Sequence, residues 1–282
     1  MPYGDLVAER VQRFATRADL DAARCTIEER EEFEPHVAAG NVVYAGVDYA
    51  EILRRAEREA DVVLWEGGNN DFPFVRPTVH IAIADPLRAG HETTYHPGEA
   101  VLRMADIVVA SKTNIADAAE VERVAASAAR LNPRAALLRG ASPVTVDEPA
   151  RLQGRRAVVV EDGPSVTHGG MTRGAGYAAA VAAGALIVDP GPYATGEIAE
   201  AYARYPHLRD VLPAMGYNGS QLAALKATLE RTPADVVVSG TPVDLAALLD
   251  PGKPVIRARY EYADTGSPTL WEAVAERLPR KR

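Results

Sequence analysis

The stretch Asp61–Asp85, DVVLWEGGNNDFPFVRPTVHIAIAD, decides which fold we expect for this chain. It holds two short apolar runs, Val62–Trp65 and Val79–Ala84, and each run stops at an acid, Glu66 or Asp85. Short apolar runs bounded by turn residues are typical of buried strands in a parallel sheet. Ligands of open α/β sheets bind outside the carboxyl ends of the strands. Both acids are therefore candidates for binding a metal ion or a phosphate, and the alternative is that they only end their strands.

Apolar runs alternate with helical patterns along the rest of the chain. The pattern predicts strands at Val42–Val47, Asp61–Trp65, His80–Ala84, Ile107–Ala110, Ala135–Leu138, Ala157–Val160, Leu186–Val188, Val236–Val238 and Val255–Arg259. Such alternation indicates βαβ units, so we expect an α/β fold with a mainly parallel sheet and helices on both faces. The connection Gly140–Gly154 predicts a boundary between residues 1–145 and 146–282, although both parts could share one sheet. The acidic segment Thr26–His36 is predicted to be a solvated helix or loop.

Composition excludes several classes of partner. The net charge is -8 and no basic patch is visible, which argues against nucleic acid. No apolar run approaches the length that spans a membrane, and the N-terminus has no signal-peptide pattern. The single cysteine, Cys25, excludes an internal disulfide framework and fits a reducing compartment. We therefore expect a cytoplasmic protein with no nucleic-acid or membrane partner, and a homodimer is possible.

Two strand-end motifs are candidates for a nucleotide site. In EGGNND, Glu66 is placed to bind Mg²⁺, while Gly67 and Gly68 would let the backbone approach a phosphate closely. In SKTNIAD, Lys112 and Asn114 follow the strand Ile107–Ala110, and the motif resembles the Asn-Lys-x-Asp motif of P-loop GTPases, which implies that these two residues face a nucleotide base. A tight turn is the alternative at both motifs.

The loop after Asp85 concentrates side chains that can bind anions or move protons. Arg88 could clamp a phosphate or carboxylate, and His91 and His96 could carry protons or bind a transition metal. Asp85, Arg88 and His91 are accordingly our candidate catalytic residues. Each residue alone is more commonly a solvated side chain of a loop.

The segment Glu161–Gly176, EDGPSVTHGGMTRGAG, predicts an anion site in the second half of the chain. A strand followed by a glycine-rich loop and a helix start turns backbone N–H groups toward an anion. Thr167, His168 and Arg173 add side-chain donors, so we expect them to bind a substrate phosphate. The alternative is that the glycines serve close helix packing.

Several long motifs together resemble the cyclic 2,3-diphosphoglycerate synthetase-like family of predicted P-loop GTPases. They are MPYGDL, QRFAT, CTIEEREEFEPH, VVYAGVDY, WEGGNNDFPF, DPLRAGHE, EDGPSVTHGGM, DPGPYATGEI and LPAMGY. The resemblance covers nearly the whole chain and implies a P-loop NTPase-like fold with Mg²⁺ and ATP or GTP as cofactors. It also implies ATP-driven ring closure of 2,3-bisphosphoglycerate, a small phosphorylated substrate. In that chemistry Glu66 would hold Mg²⁺ and Asp85 would lie near the γ-phosphate.

This sequence departs from that family in two places. No G-x-x-x-x-G-K-[ST] loop occurs in the 282 residues, so we expect an N-terminally truncated form that binds nucleotide weakly by itself. The Asn-Lys-x-Asp motif by which P-loop GTPases read guanine is also changed. Ser111 and Asn114 stand where that motif has Asn and Asp, so the choice between ATP and GTP stays open.

Two further functions remain open from the sequence. The segment from Glu66 to Asp85 is distantly similar to the nickel-insertion GTPases, which would predict Ni²⁺ or Zn²⁺ binding through His91 and His96. Loss of the P-loop would alternatively leave a non-catalytic α/β binding module.

Overall fold

The computed structural model describes residues 6–68, 72–216 and 218–279. Its strands are β1 (Gln12–Phe14), β2 (Val43–Ala45), β3 (Ile81–Ala84), β4 (Ile107–Ala110), β5 (Ala136–Ala141), β6 (Val144–Val146), β7 (Arg156–Asp162), β8 (Leu186–Ile187), β9 (Leu212–Ala214), β10 (Val236–Gly240), β11 (Val255–Tyr260) and β12 (Ala263–Asp264). Its α-helices are α1 (Arg17–Ala23), α2 (Ile27–Ala38), α3 (Tyr49–Glu59), α4 (His91–Thr94), α5 (Gly98–Met104), α6 (Ala118–Leu131), α7 (Gly163–Val166), α8 (Ala175–Ala182), α9 (Gly196–Arg204), α10 (Gly219–Arg231), α11 (Leu245–Leu249) and α12 (Leu270–Ala275).

The chain forms two compact units, and each unit is built from two separate parts of the sequence. Unit 1 combines residues 1–58 with 144–260, and unit 2 combines residues 59–143 with 261–282. The chain passes from unit 2 to unit 1 between Pro143 and Val144, inside the connection Gly140–Gly154 that the sequence marked as a boundary. The first 58 residues nevertheless pack with the second half of the chain, which differs from the predicted division into 1–145 and 146–282.

The main sheet of unit 1 is largely parallel. Its strand order is β6-β11-β10-β7, with β8 and β9 both pairing along the far side of β7. Only β6 runs antiparallel to its neighbour β11. The inner strands β7 and β10 are buried throughout most of their length because helices cover both faces. α2, α9, α10 and α11 pack on one face, and α8 packs on the other.

Unit 2 has a smaller sheet with the strand order β12-β5-β4-β3. β3, β4 and β5 are parallel, and β12 pairs antiparallel with β5. α5 and α6 cover one face through Leu102, Val124 and Ala128. On the other face Ala273 of α12 packs over Ile107, Val109 and Leu138 of β4 and β5. The predicted α/β class with a mainly parallel sheet and flanking helices is therefore confirmed.

The predicted strand Asp61–Trp65 is wrong. The segment forms no strand, and Val62, Val63 and Leu64 are exposed, Leu64 by 80%. An apolar sequence favours a strand only where a neighbouring strand supplies hydrogen bonds. Among the described residues no strand pairs with this segment, so it takes no strand conformation.

Two other expectations near the N-terminus also need correction. In place of the predicted strand Val42–Val47, the structure has the shorter strand β2. This strand pairs antiparallel with β1 in a separate two-stranded sheet, outside the parallel sheets. The acidic segment Thr26–His36 is indeed helical, but it is not merely solvated. Ile27 of this helix belongs to the core of unit 1, and Arg30 and Glu34 form a buried ion pair of 2.9 Å between Nη1 and Oε1.

Candidate functional site

In unit 1 an acidic cluster lies at the carboxyl ends of β7 and β10. Glu31, on α2, accepts a hydrogen bond from the hydroxyl of Thr241 at 2.6 Å, just after β10 ends. Burial, and then repulsion by Asp162 at the end of β7, raises the pKa of Glu31 to about 9. Glu31 is consequently protonated at neutral pH and can share its proton with Asp162. Two carboxyl groups that share a proton in this way are a common device of catalytic sites.

Two more groups of the same unit act on this pair. Asp162 also accepts a hydrogen bond from the hydroxyl of Ser165 at 2.5 Å. Glu28 stands one turn before Glu31 on α2, and burial raises its pKa, an effect that His168 partly offsets. The structure therefore brings His168, which the sequence predicted as a substrate ligand, close to carboxyl groups rather than to an empty anion site.

The backbone cradle predicted for a substrate phosphate binds an anion of the protein itself. The N–H groups of Gly174, Gly176 and Tyr177 donate to the carboxylate of Glu161 at 3.1, 3.1 and 2.7 Å. Burial raises the pKa of Glu161, while these three hydrogen bonds lower it. In this arrangement Glu161 already engages these donors, and a substrate phosphate site at this loop stays a prediction.

The other two predicted substrate ligands already have partners. Thr167 is buried, and its hydroxyl donates to the carbonyl oxygen of Gly163 at 2.7 Å. Arg173 pairs with the carboxylate of Asp210, and its guanidinium lies 4.3 Å from the centre of the Tyr177 ring. Arg173 would have to leave Asp210, or share it, to bind a substrate. Its role as a ligand stays a prediction.

Unit 2 places Asp85 and Lys112 together at the carboxyl ends of β3 and β4. Lys112 Nζ lies 2.7 Å from Asp85 Oδ2, and Arg88 Nε lies 3.9 Å from the same oxygen. Lys112 adopts a left-handed backbone conformation with φ of 53°, unusual for a residue with a side chain. The sequence had assigned Asp85 and Lys112 to phosphate and base respectively, and the structure joins them in one half-exposed ion pair.

The remaining predicted residues of unit 2 are engaged locally. Asn114 binds the backbone of Ser142, accepting from its N–H at 2.8 Å and donating to its carbonyl oxygen at 3.4 Å. His91 begins α4, and its ring lies 4.5 Å from that of Tyr95. His96 meets the ring of Phe72 edge-on, with ring centres 5.8 Å apart.

Glu66, Gly67 and Gly68 lie on the exposed segment that precedes β3 in the chain and forms no strand. Asn69, Asn70 and Asp71 of the same motif fall outside the described residues. No three His, Cys, Asp or Glu side chains in the described ranges are grouped to hold a metal ion. Mg²⁺ commonly uses one or two carboxylates and completes its shell with water and phosphate oxygens. Glu66 or Asp85 could supply such a carboxylate, so the Mg²⁺ site stays a prediction.

Sequence reasoning missed Glu28 and Glu31, because their segment Thr26–His36 holds five acids and looked like a solvent-facing helix. One pattern in the sequence could have revealed which side of α2 is buried. Ile27, Arg30 and Glu34 recur at spacings of three and four residues, which places them on one helical face. An arginine and a glutamate at such spacing can pair and be buried together. Glu31, which lies between Arg30 and Glu34 in the sequence, then lies toward the edge of the sheet.

Comparison with known proteins gives one strong similarity. The chain is 53% identical over 277 residues to a protein of Thermococcus kodakarensis named arginine synthetase ArcE. The similarity covers 98% of this chain and 62% of that relative, so the chain spans less than two thirds of the relative's length. No protein-family model matches the chain. The chain is thus related to a synthetase, in general agreement with the synthetase expected from its motifs. None of the helices in the described ranges has the length and apolar character needed to cross a membrane.

Proposed function

We propose that the chain is the substrate-binding part of a nucleotide-driven synthetase whose product is arginine or a closely similar guanidino compound. The observation that carries the proposal is the 53% identity to arginine synthetase ArcE. A synthetase couples the formation of a new bond to the cleavage of a nucleoside triphosphate. We expect ATP or GTP, with Mg²⁺, to supply that driving force.

The charges of the unit 1 cluster support a cationic ligand. Glu28, Glu31 and Asp162 influence one another electrostatically, and the nearby Glu161 is also acidic. A guanidinium or ammonium group is attracted by such a cluster and offers donors that match carboxylate oxygens. Asp162 and Glu28 would bind the cation, while the proton on Glu31 could move as charge develops on the substrate.

Formation of cyclic 2,3-diphosphoglycerate is the second candidate, favoured by the motifs that resemble that family. Its substrate carries two phosphates and a carboxylate. Binding these anions beside the acidic side chains of Asp162 and Glu28 would be electrostatically costly. Arg173, the predicted cation of this loop, already pairs with Asp210. The charge distribution therefore favours the arginine product over the bisphosphoglycerate.

Calorimetric titration of the purified chain with arginine and, separately, with 2,3-bisphosphoglycerate tests the choice. We expect arginine to bind. Asp162→Asn should weaken that binding about tenfold or more, because a charge-assisted hydrogen bond contributes about 1.5–3 kcal/mol. Glu57→Gln removes an exposed acid of α3 and is the matched control, which should bind like the parent chain. Binding of the bisphosphoglycerate without binding of arginine would reverse the assignment.

A further inference from the structure

Two glutamates of α2 contact the same loop of unit 1, the loop 241–244 that follows β10. The hydroxyl of Thr241 donates to Glu31 at 2.6 Å, and the backbone N–H of Asp244 donates to Glu34 Oε2 at 3.0 Å. Glu31 and Glu34 are three residues apart on the helix, so their Cβ atoms lie about 5–6 Å apart. The two carboxyl groups are therefore neighbours, and their other contacts can be compared directly.

Glu34 is buried and lies among arginines. Arg30 Nη1 is 2.9 Å from Glu34 Oε1, and Arg17 Nη2 is 3.5 Å from Glu34 Oε2. Arg17 Nη2 also lies 2.9 Å from Asp244 Oδ2. The guanidinium of Arg257, on β11, donates to a carbonyl oxygen of the same loop and interacts electrostatically with Glu34. Guanidinium groups are thus gathered on the Glu34 side of the loop.

Glu31 has the opposite surroundings. It is hydrogen-bonded to Asp162, and the two acids form one carboxyl pair. The ionisable groups that act on this pair from neighbouring elements are Glu28, Glu161 and Tyr260, and His168 acts on Glu28. Across residues 6–68, 72–216 and 218–279, no ion pair joins a lysine or an arginine to Glu31 or Asp162. Within those ranges the carboxyl pair therefore lacks a cationic partner, although arginines lie one helical turn away.

The charge of Glu34 accounts for this separation. Its ion pairs offset part of the positive charge of Arg17 and Arg30, which weakens the field that reaches Glu31. A neutral side chain at position 34 would leave that positive charge uncompensated about one helical turn from Glu31. Nearby positive charge favours the ionised form of a carboxyl group, so Glu31 would lose its proton more readily and would attract a guanidinium of the protein.

We propose that Glu34 is a positioning residue that binds Arg17 and Arg30 and so keeps them from neutralising the carboxyl pair of Glu31 and Asp162. The pair then stays open to a cationic group of a ligand. Glu34 does not touch the ligand in this role, because it acts through the charge at Glu31. The identity of the ligand as arginine or a similar guanidino compound rests on the proposed function, whereas the effect of Glu34 on Glu31 belongs to the chain itself.

NMR titration of the Glu31 carboxyl carbon in the whole chain tests the proposal. The pKa of Glu31 should be about 9 in the parent chain. Glu34→Gln keeps the size of the side chain and an acceptor for the Asp244 N–H but removes the charge, so the pKa of Glu31 should fall by about one to two pH units. Glu34→Asp keeps the charge and should retain most of the parental value. A pKa of Glu31 that Glu34→Gln leaves unchanged would overturn the proposal.

Two further variants separate this role from a general loss of structure. Glu51→Gln removes an acid of α3 that likewise pairs with two arginines, Arg54 at 2.9 Å and Arg55 at 2.8 Å, and it should leave the pKa of Glu31 unchanged. An equal fall in Glu51→Gln would reject the proposal. Arg17→Gln changes a half-exposed side chain and provides the test if Glu34→Gln does not fold. It should raise the pKa of Glu31, because the charge of Glu34 is then less well compensated, and an unchanged or lower pKa would contradict the proposal.

Calorimetric titration with arginine at pH 6 distinguishes this proposal from the proposed function. We expect Glu31 to hold its proton at that pH in the parent chain and in Glu34→Gln. Glu34→Gln should weaken arginine binding about tenfold, because the uncompensated guanidinium groups repel a cationic ligand. Glu51→Gln should bind arginine like the parent chain. A parent chain that binds no arginine would contradict the proposed function alone, and the titration of Glu31 would still decide the role of Glu34.

Discussion

Glu31 links the acidic cluster to the stability of unit 1. Its pKa rises from an ordinary value of 4.5 to about 9, because the side chain is buried and faces Asp162. Between these values the folded protein holds a proton that the unfolded chain has lost. The free energy of unfolding should therefore fall as pH rises, by up to about 1.4 kcal/mol per pH unit.

Glu31→Gln should flatten this dependence, because glutamine resembles the protonated acid and can still accept from Thr241. Urea unfolding at pH 6, 7 and 8 measures the slope for the parent chain and the variant. Glu57→Gln, which changes an exposed acid of unit 1, should keep the parental slope. A parent chain whose stability does not change over this range would show that Glu31 is ionised in the folded state.

Gly240 has no room for a side chain because of the internal anion. A Cβ atom there would stand 2.3 Å from Glu161 Oε2 and 2.8 Å from the backbone nitrogen of Gly176. Gly240→Ala should cost about 1–3 kcal/mol by overpacking, measured by urea unfolding. Gly219→Ala is the control, since a Cβ there meets nothing within 4 Å at the start of α10. Equal stability of both variants would mean that Glu161 moves away without cost.

Predictability from sequence varied sharply between residues. The segment Glu161–Gly176 was recognised as a strand, a glycine-rich loop and a helix start, because these elements leave a recognisable pattern. The occupant of that cradle was not found, since a carboxylate of the chain and a phosphate satisfy the same N–H groups. Glu31 was missed because its burial depends on α2 packing against β10, a contact between residues 210 positions apart.

At the scale of elements, α12 covers β4 and β5 on one face of the unit 2 sheet. Thr269 begins this helix with a capping box, accepting from the N–H of Glu272 at 3.2 Å while its own N–H donates to the Glu272 carboxylate at 2.8 Å. Thr269→Ala should destabilise unit 2 by about 1 kcal/mol, and Thr269→Ser should retain most of the stability. Thermal unfolding followed by circular dichroism measures both. Destabilisation by serine as large as that by alanine would exclude the hydroxyl cap as the cause.

Element prediction succeeded where neighbours were present and failed where they were not. Ile107–Ala110 forms β4 with the bounds expected from its sequence, because strands lie on both sides of it. Asp61–Trp65 has an equally apolar sequence but no strand beside it within the described residues. The local sequence sets only a preference for strand conformation. Hydrogen-bonding partners from elsewhere in the chain decide whether a strand forms.

At the scale of the whole molecule, each unit has its own buried core. Val158, Leu225 and Leu229 belong to a core of unit 1, while Val108 and Val124 belong to a core of unit 2. Cores of this kind commonly unfold as separate cooperative blocks. We therefore expect two transitions in differential scanning calorimetry. Gly240→Ala should lower one transition and Thr269→Ala the other. A single transition lowered by both substitutions would show one cooperative unit.

The interleaving of the two units sets the order in which the chain can finish folding during synthesis. β4 and β5 leave the ribosome well before α12, whose Ala273 packs against Ile107 and Leu138. The first 58 residues likewise cannot complete unit 1 until residues 144–260 have been synthesised. Both cores remain incomplete until the C-terminal part has been translated. Ribosome-bound nascent chains should thus expose apolar surface to chaperones for most of the elongation time.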